Sequence, residues 1–462
     1  MELNKIQSVY FVGIGGIGMS ALARYFKANG FNVEGYDRTP TLLTSELESE
    51  GIGIHFEDDI SLIKEEYKNP SNTLVVFTPA IPKDHQELNY FINNGFDVKK
   101  RSQVLGILTR EHKGVCVAGT HGKTTISTMI SHLLKQSEVD CSAFLGGVSQ
   151  NYKTNLLLSE TSDYVVLEAD EFDRSFLQLT PYLALISSAD ADHLDIYGDD
   201  TSVKSSFKEF STLVKDEGIL LSKLEVDLDF ESRTDVRHYT YSMNNTKADF
   251  FAENIRLDQG LYVFDLVTPN EKYQNLKLGI PALVNVENAV GACSAAILSG
   301  VKYDEIQKSL PEFKGIRRRF DIRLKTDQLI LIDDYAHHPE EIKATIKSVR
   351  ALYPEQRITG VFQPHLFSRT NDFHKEFAKS LSMLDELIML DIYPARELPM
   401  EGVSSKMILD LVELDQKSIS TKDNLLNEIK DLNPEVLLMM GAGDIDKEID
   451  KITLSYQQKF KM

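Results

Sequence analysis

Three constellations in this chain carry the residue types that phosphate chemistry needs. The first is Gly13-Ile14-Gly15-Gly16-Ile17-Gly18, which follows the apolar run Val9–Val12 and opens a helical pattern. Glycines so placed allow a tight turn and the close approach of a diphosphate to a helix N-terminus. Asp37 closes the next strand-like segment, FNVEGYD, at a spacing that suits an acid bonding a ribose hydroxyl. This motif does not separate NAD from other nucleotide diphosphates. The second is Gly119-Thr120-His121-Gly122-Lys123-Thr124-Thr125, set between the strand VCVAG and a helix. Its backbone amides can cradle phosphates, Lys123 can reach the β and γ oxygens, and the Thr124 hydroxyl can bind Mg²⁺. A full P-loop has a glycine where this chain has Val117, so the loop is a shortened one. The third is Glu168-Ala169-Asp170-Glu171 at one strand end, with Asp192-His193-Leu194-Asp195 after the next strand. Glu168 and His193 are candidate Mg²⁺ ligands beside Thr124; a hard ion seldom takes histidine directly, which leaves His193 a water-mediated or second-ion role.

A fourth group lies in the last third of the chain. Asp333-Asp334-Tyr335-Ala336-His337-His338-Pro339, Gln363-Pro364-His365 with Ser368-Arg369-Thr370, and Tyr393-Pro394-Ala395-Arg396-Glu397 each follow an apolar run. Polar clusters at successive strand ends gather on one edge of a parallel sheet, where open α/β folds bind ligands.

The elements that must position these groups are legible as short Val/Ile/Leu runs alternating with helical patterns. Runs at 9–13, 74–79, 115–119, 164–170, 183–190, 329–335, 358–365, 387–394 and 436–444 read as strands buried on both faces. Helical patterns at 18–27, 124–134 and 339–352 complete α/β units with parallel sheets. The stretch 225–280 alternates polar and apolar residues and reads as antiparallel β inserted in the middle domain. At roughly 150 residues per domain, 462 residues suggest about three domains. Boundaries fall before VCVAG and near 318, at the Arg317–Arg319 cluster, giving domains 1–108, 109–318 and 319–462.

Composition removes several function classes. A 42% hydrophobic chain can bury a core, so disorder is excluded as the main state. A net charge of −20 argues against a broad nucleic-acid footprint, although it permits a local cationic pocket. Three scattered cysteines, Cys116, Cys141 and Cys293, make neither a disulfide framework nor a metal clamp. No signal peptide and no membrane-length apolar stretch are evident, and a soluble, cytoplasmic protein is the expectation.

Together GIGGIGMSALA, GTHGKTT, EADE, DHLD, DDYAHHPEE, FQPHLFSRT, YPARE and GAGD resemble the Mur ligases, over a span from Gly13 to Asp444. Within that family the glycine loop, DDYAHHP and FQPH are most similar to the alanine-adding branch. The resemblance implies a Rossmann-like N-terminal domain for a UDP-sugar, a central P-loop ATPase-like domain and a Rossmann-like C-terminal domain for an amino acid. It implies that ATP phosphorylates the lactyl carboxylate of UDP-N-acetylmuramate, after which the amine of L-alanine attacks the acyl phosphate. On the same basis Gly13, Gly15, Gly16, Gly18 and Asp37 serve the UDP-sugar. Residues Gly119, Thr120, His121, Gly122, Lys123, Thr124 and Thr125, with Asn288 (adenine), Arg319 and Asp334, serve ATP. Lys123, Glu168 and His193 are the catalytic set, and Tyr335, His337, His365 and Arg369 line the alanine pocket.

Two positions depart from the family pattern: Leu366 and Val284 stand where relatives often have Arg and His. Lys208 is alignable with a lysine that some members carbamylate, or is an ordinary helix-surface lysine. Three other readings stay open from the sequence. They are a recycling ligase that attaches a tripeptide to the same sugar nucleotide, an NAD-dependent oxidoreductase built on Gly13–Gly18, and a non-catalytic ATP switch.

Overall fold

A computed structural model describes residues 5–190, 197, 199–395 and 397–460; of Phe460 only the backbone is described. His193, with Asp192 and Asp195, and Arg396 lie outside the described residues. The chain divides into two compact units. The first holds 1–256, 263–279 and 286–314, and the second holds 257–262, 280–285 and 315–462.

The first unit contains two sheets. Strands β1 (Ser8–Val12), β2 (Asn32–Tyr36), β3 (Gly53–His55), β4 (Thr73–Phe77) and β5 (Asp97–Lys100) form one in the order β3-β2-β1-β4-β5. Every pairing in it is parallel. All five residues of β1 are buried, as a strand covered on both faces must be. Helices α1 (Ile17–Ala28), α2 (Leu42–Ser49), α3 (Gln86–Asn93) and α4 (Arg101–Glu111) supply the cover.

The second sheet begins with β6 (Lys113–Ala118), β7 (Ser142–Phe144), β8 (Leu156–Leu157), β9 (Tyr164–Glu168), β10 (Leu183–Ile186) and β11 (Ile219–Lys223). It continues through β12 (Arg237–Ser242), β13 (Phe250–Asp258), β14 (Leu261–Val267) and β15 (Lys272–Lys277). The order is β15-β14-β13-β12-β11-β10-β6-β9-β7-β8. Helix α5 (Lys123–Lys135) follows β6 directly. One continuous apolar core runs from Val9, Phe11 and Phe26 beneath the first sheet to Phe176, Phe207 and Phe210 beneath the second. Each fully buried aromatic side chain adds roughly 2 kcal/mol of hydrophobic stabilisation.

The 225–280 segment corrects part of the sequence reading. Antiparallel pairing holds for β14 with β15. Strand β12, however, pairs in parallel with both β11 and β13 and extends the central sheet. Polar/apolar alternation in HYTYS reports one exposed face of the strand; it says nothing about the direction of its neighbour.

The second unit carries β16 (Asp321–Lys325), β17 (Ile330–Asp334), β18 (Ile358–Phe362), β19 (Glu386–Met389), β20 (Gln416–Ile419) and β21 (Val436–Met440). Their order is β16-β17-β21-β18-β19-β20, parallel except for β16. Helix Pro339–Leu352 starts on a proline, whose missing N–H costs nothing in a first turn. Glu341 reaches back to accept the backbone N–H groups of His337 and His338, at 3.0 and 3.2 Å.

Candidate active site

In the first unit the glycine loop is held open by its own backbone. Gly13 takes φ +90°, and the N–H groups of Gly13 and Ile14 both donate to Tyr36 O, at 2.8 and 2.9 Å. Asp37 accepts from Gly15 N at 2.7 Å through Oδ2 and from Thr39 N at 3.1 Å through Oδ1. Its carboxylate thus braces the loop, a task the sequence does not announce. Gly15 is needed there: a Cβ would stand 2.9 Å from Asp37 Oδ2. Gly16 is the N-cap of α1, with no side chain to block an approaching anion.

The second loop joins β6 to α5. Gly122 caps α5 in the left-handed region, φ +82°, which an L side chain seldom adopts. Two serines at the end of β10 fix the loop. Ser187 Oγ donates to His121 O at 2.5 Å, and His121 N donates to Ser188 Oγ at 2.8 Å. Thr120 Oγ1 lies 2.9 Å from the same Ser188 hydroxyl. Lys123 turns inward, where Nζ donates to Gly119 O at 2.6 Å and to Glu171 Oε1 at 2.7 Å. Thr125 is the next residue but one on α5 and is half-buried. Asn288 sits beside this loop: its Oδ1 is 3.0 Å from where a Cβ on Gly122 would be.

Thr124 Oγ1 and Glu168 Oε2 approach to 2.9 Å, joined by a hydrogen bond. Two hard oxygens at that separation match the edge of an octahedron with metal–oxygen distances of about 2.1 Å, the preference of Mg²⁺. These two candidate ligands therefore fit the ion. Among the described residues no group of three His, Cys, Asp or Glu side chains forms a metal centre. Gly146 faces this pair, and a Cβ on it would lie 1.7 Å from Glu168 Oε2. Lys208, on the helix Asp200–Thr212, is 40% exposed and 3.7 Å from Asp229, as a surface lysine would be.

The second unit gathers the C-terminal candidates. Asp333 and Asp334 end β17, both buried. Asp334 accepts from Ala336 N at 2.8 Å and from Phe320 N at 2.9 Å. Burial pushes Asp334 up to about 6 and Asp333 up to about 7, against the pull of Arg319 and Arg318 respectively. The guanidinium of Arg319 lies 4.9 Å from the Tyr335 ring centre, and that of Arg318 lies 5.1 Å from it. Tyr335, His337 and His365 meet as a ring cluster, with centroids 5.3 Å apart for the first pair and 6.0 Å for the second. His365 also stacks on Tyr393 at 5.8 Å. Burial pushes His337 down to about 4, and the charges of Arg369 and Arg319 act in the same direction. The four alanine-pocket candidates are therefore brought together. Leu366 takes φ +71°, a strained value for a leucine.

Sequence reasoning missed Gly146, Ser187, Ser188 and Glu171 as supports of the phosphate loop. A glycine after a short strand and two serines after a longer one carry no motif, and only the folded sheet brings them to Thr124 and His121.

Comparison with known proteins covers all three sheets. The sequence patterns that match are described as "Mur ligase family, catalytic domain" at 8–113, "Mur ligase middle domain" at 117–296 and "Mur ligase, glutamate ligase domain" at 318–443. A protein of Parabacteroides distasonis named UDP-N-acetylmuramate–L-alanine ligase is 54% identical over 98% of both chains. One of the same name from Flavobacterium psychrophilum is 49% identical over 99% of this chain and 100% of its own. Among solved structures, the UDP-N-acetylmuramate-alanine ligase of Thermotoga maritima superposes with a TM-score of 0.82 at 27% identity, covering 98% of this chain and 99% of that one. A murein peptide ligase from Psychrobacter arcticus gives 0.70 at 20% identity, covering 97% and 98%, a likeness of fold alone.

Proposed function

The chain belongs to the Mur ligase family, and from that premise we propose how its residues work. It is an ATP-dependent ligase that joins L-alanine to the lactyl carboxylate of UDP-N-acetylmuramate, a step of peptidoglycan precursor synthesis. The observation that carries this is the match to alanine-adding relatives at about half identity along the whole chain, 98% of both partners in one case. Family membership takes the place of the NAD-dependent oxidoreductase and ATP-switch readings.

A lactyl carboxylate oxygen attacks the γ-phosphorus of ATP, the bond to the β,γ-bridging oxygen breaks, and ADP leaves. The alanine nitrogen then attacks the acyl carbon, and the tetrahedral intermediate expels phosphate as the nitrogen loses a proton. Both reactants are anionic, so positive charge must be in place before they meet. Lys123 supplies it at the phosphate loop, where Gly119, Thr120, His121, Gly122 and Thr125 direct backbone and hydroxyl donors to the phosphates. Thr124 and Glu168 would hold Mg²⁺, with His193 as the further ligand taken from the family. When bound, the ion offsets charge on the transferred phosphoryl group. By family resemblance Asn288 serves the adenine, Arg319 and Asp334 serve ATP, and Gly13, Gly15, Gly16, Gly18 and Asp37 serve the UDP-sugar.

Tyr335, His337 and His365 wall the alanine pocket, and Arg369 pairs with the alanine carboxylate. His337, kept neutral by burial, presents no competing charge there. We assign the working domains as 1–108, 109–318 and 319–462. No described helix is long and apolar enough to cross a membrane. The proposed location, the cytoplasm, follows from the proposed substrates, ATP and a nucleotide sugar. ADP release that requires both UDP-N-acetylmuramate and L-alanine is the test; release independent of either would sink the reading.

A further inference from the structure

Arg101, the first residue of α4, lies over Gly18, the last glycine of the first loop. A Cβ placed on Gly18 would stand 2.1 Å from Arg101 Nη1 and 3.0 Å from Cζ. Gly18 therefore stays bare partly to admit this guanidinium. Among the described residues the side chain's one hydrogen bond runs from Nη2 to Asp170 Oδ2, at 3.2 Å. The two side chains are 24% and 37% exposed. A guanidinium carries five N–H donors, so most of this one's capacity is uncommitted.

The placement also runs against the electrostatics of the helix. The N-terminus of α1 carries a positive partial charge, and a cation beside it is repelled. The first turn of α1 has no acidic residue, and its N-cap Gly16 brings no side-chain acceptor. The one carboxylate at the loop among the described residues, Asp37, is committed to the backbone N–H groups of Gly15 and Thr39 and bonds no cation there. Meanwhile Lys100 Nζ donates to Asp173 Oδ2 at 2.8 Å, so the start of α4 is braced against the loop that carries Asp170. The charge is held in place by the neighbouring sheet, against the preference of the helix it covers.

We propose that Arg101 binds the diphosphate of the sugar nucleotide and that Asp170 is its resting partner, a carboxylate that the diphosphate displaces. This rests on the reading that Gly13–Gly18 takes the UDP-sugar. A pair that was only structural would treat its two members alike. A ligand-binding arginine with a competing carboxylate treats them differently, because removing the competitor frees the cation.

The experiment is calorimetric titration of UDP and of UDP-N-acetylmuramate into the full-length wild type, Arg101→Gln, Arg101→Lys and Asp170→Asn, with melting temperature and ATP affinity as fold controls. Arg101→Gln is expected to weaken both ligands about tenfold or more, the order of one charge-assisted hydrogen bond, with ATP affinity unchanged. Arg101→Lys, which keeps the charge and loses the planar fork, falls between. Asp170→Asn binds at least as tightly as the wild type. The proposal is overturned by a folded Arg101→Gln that binds UDP like the wild type. Equal weakening in Asp170→Asn overturns it too. So does a loss confined to UDP-N-acetylmuramate, which would move the guanidinium to the lactyl carboxylate. A wild type that binds neither ligand would remove the underlying UDP-sugar reading instead, a result visible before any variant is compared.

Discussion

Lys123 and Glu171 form an ion pair at 2.7 Å inside the first unit, with 14% and 2% of their side chains exposed. Burial alone would lower the lysine, yet Glu171, Glu168 and Asp170 together hold it above its ordinary value and charged. Glu171 Oε2 is buried with no hydrogen-bond partner among the described residues. The lysine that must meet the ATP phosphates is thus kept in place by a carboxylate from the end of the neighbouring strand.

Removing one member of such a pair is worse than removing both. Lys123→Ala leaves a buried carboxylate uncompensated, at about 3–5 kcal/mol of stability. It should also abolish turnover while leaving UDP-N-acetylmuramate binding intact. Lys123→Ala combined with Glu171→Gln should recover most of the stability and none of the activity. Denaturant melts and phosphate release, measured together, check this; a double variant no more stable than the single one contradicts it.

Gly146 has to be glycine because Glu168 occupies the space a side chain would need. In Gly146→Ala the new methyl group would lie 1.7 Å from Glu168 Oε2 and 3.2 Å from Thr124 Oγ1. The carboxylate must move off Thr124, and turnover should fall at least about a hundredfold, the scale of a misplaced reacting group. Higher Mg²⁺ should restore part of the rate. Steady-state kinetics across a Mg²⁺ series would show this, and an unchanged rate would separate Glu168 from catalysis.

Arg369→Ala should raise the KM for L-alanine by about tenfold or more, the worth of a charge-assisted pair, with little change for ATP. The sign of the effect on His337 is also fixed. Arg369 helps hold that imidazole down, so its removal should move the His337 pKa upward from about 4. NMR titration of the ring reads this directly. A KM change confined to ATP would place Arg369 elsewhere.

Asp333 is raised by burial to about 7, despite Arg318. Between pH 4 and 7 the folded state therefore holds a proton that the unfolded state has lost, so this group's contribution to stability falls as pH rises through that window. Asp333→Asn removes the titration. Its stability relative to the wild type should improve from pH 4 to about pH 7 and level off above that, as urea melts at a series of pH values would show. The comparison between the two proteins cancels His337, whose lowered pKa gives the opposite slope below its ordinary value.

Much of this arrangement is legible in the sequence. The nine apolar runs predicted as buried strands overlap β1, β4, β6, β9, β10, β17, β18, β19 and β21, because a strand covered on both faces has few polar positions to blur the pattern. Both phosphate loops were legible because a glycine turn between strand and helix is a local device. The direction of β12 was not, since alternation records exposure and leaves pairing undetermined. Gly146, Ser187, Ser188 and Arg101 were not, since each acquires its role from a residue on another strand or helix. His193 was read from sequence as a ligand and lies outside the described residues, so its assignment rests on the family alone.

Addition of L-alanine to UDP-N-acetylmuramate is read out by phosphate release. Purified protein is given ATP, Mg²⁺ and UDP-N-acetylmuramate, with L-alanine in one well and the tripeptide of the recycling reaction in another. Release that depends on L-alanine and is absent with the tripeptide is the predicted result. Release with the tripeptide alone would keep the fold and the phosphate loop but contradict the substrate assignment.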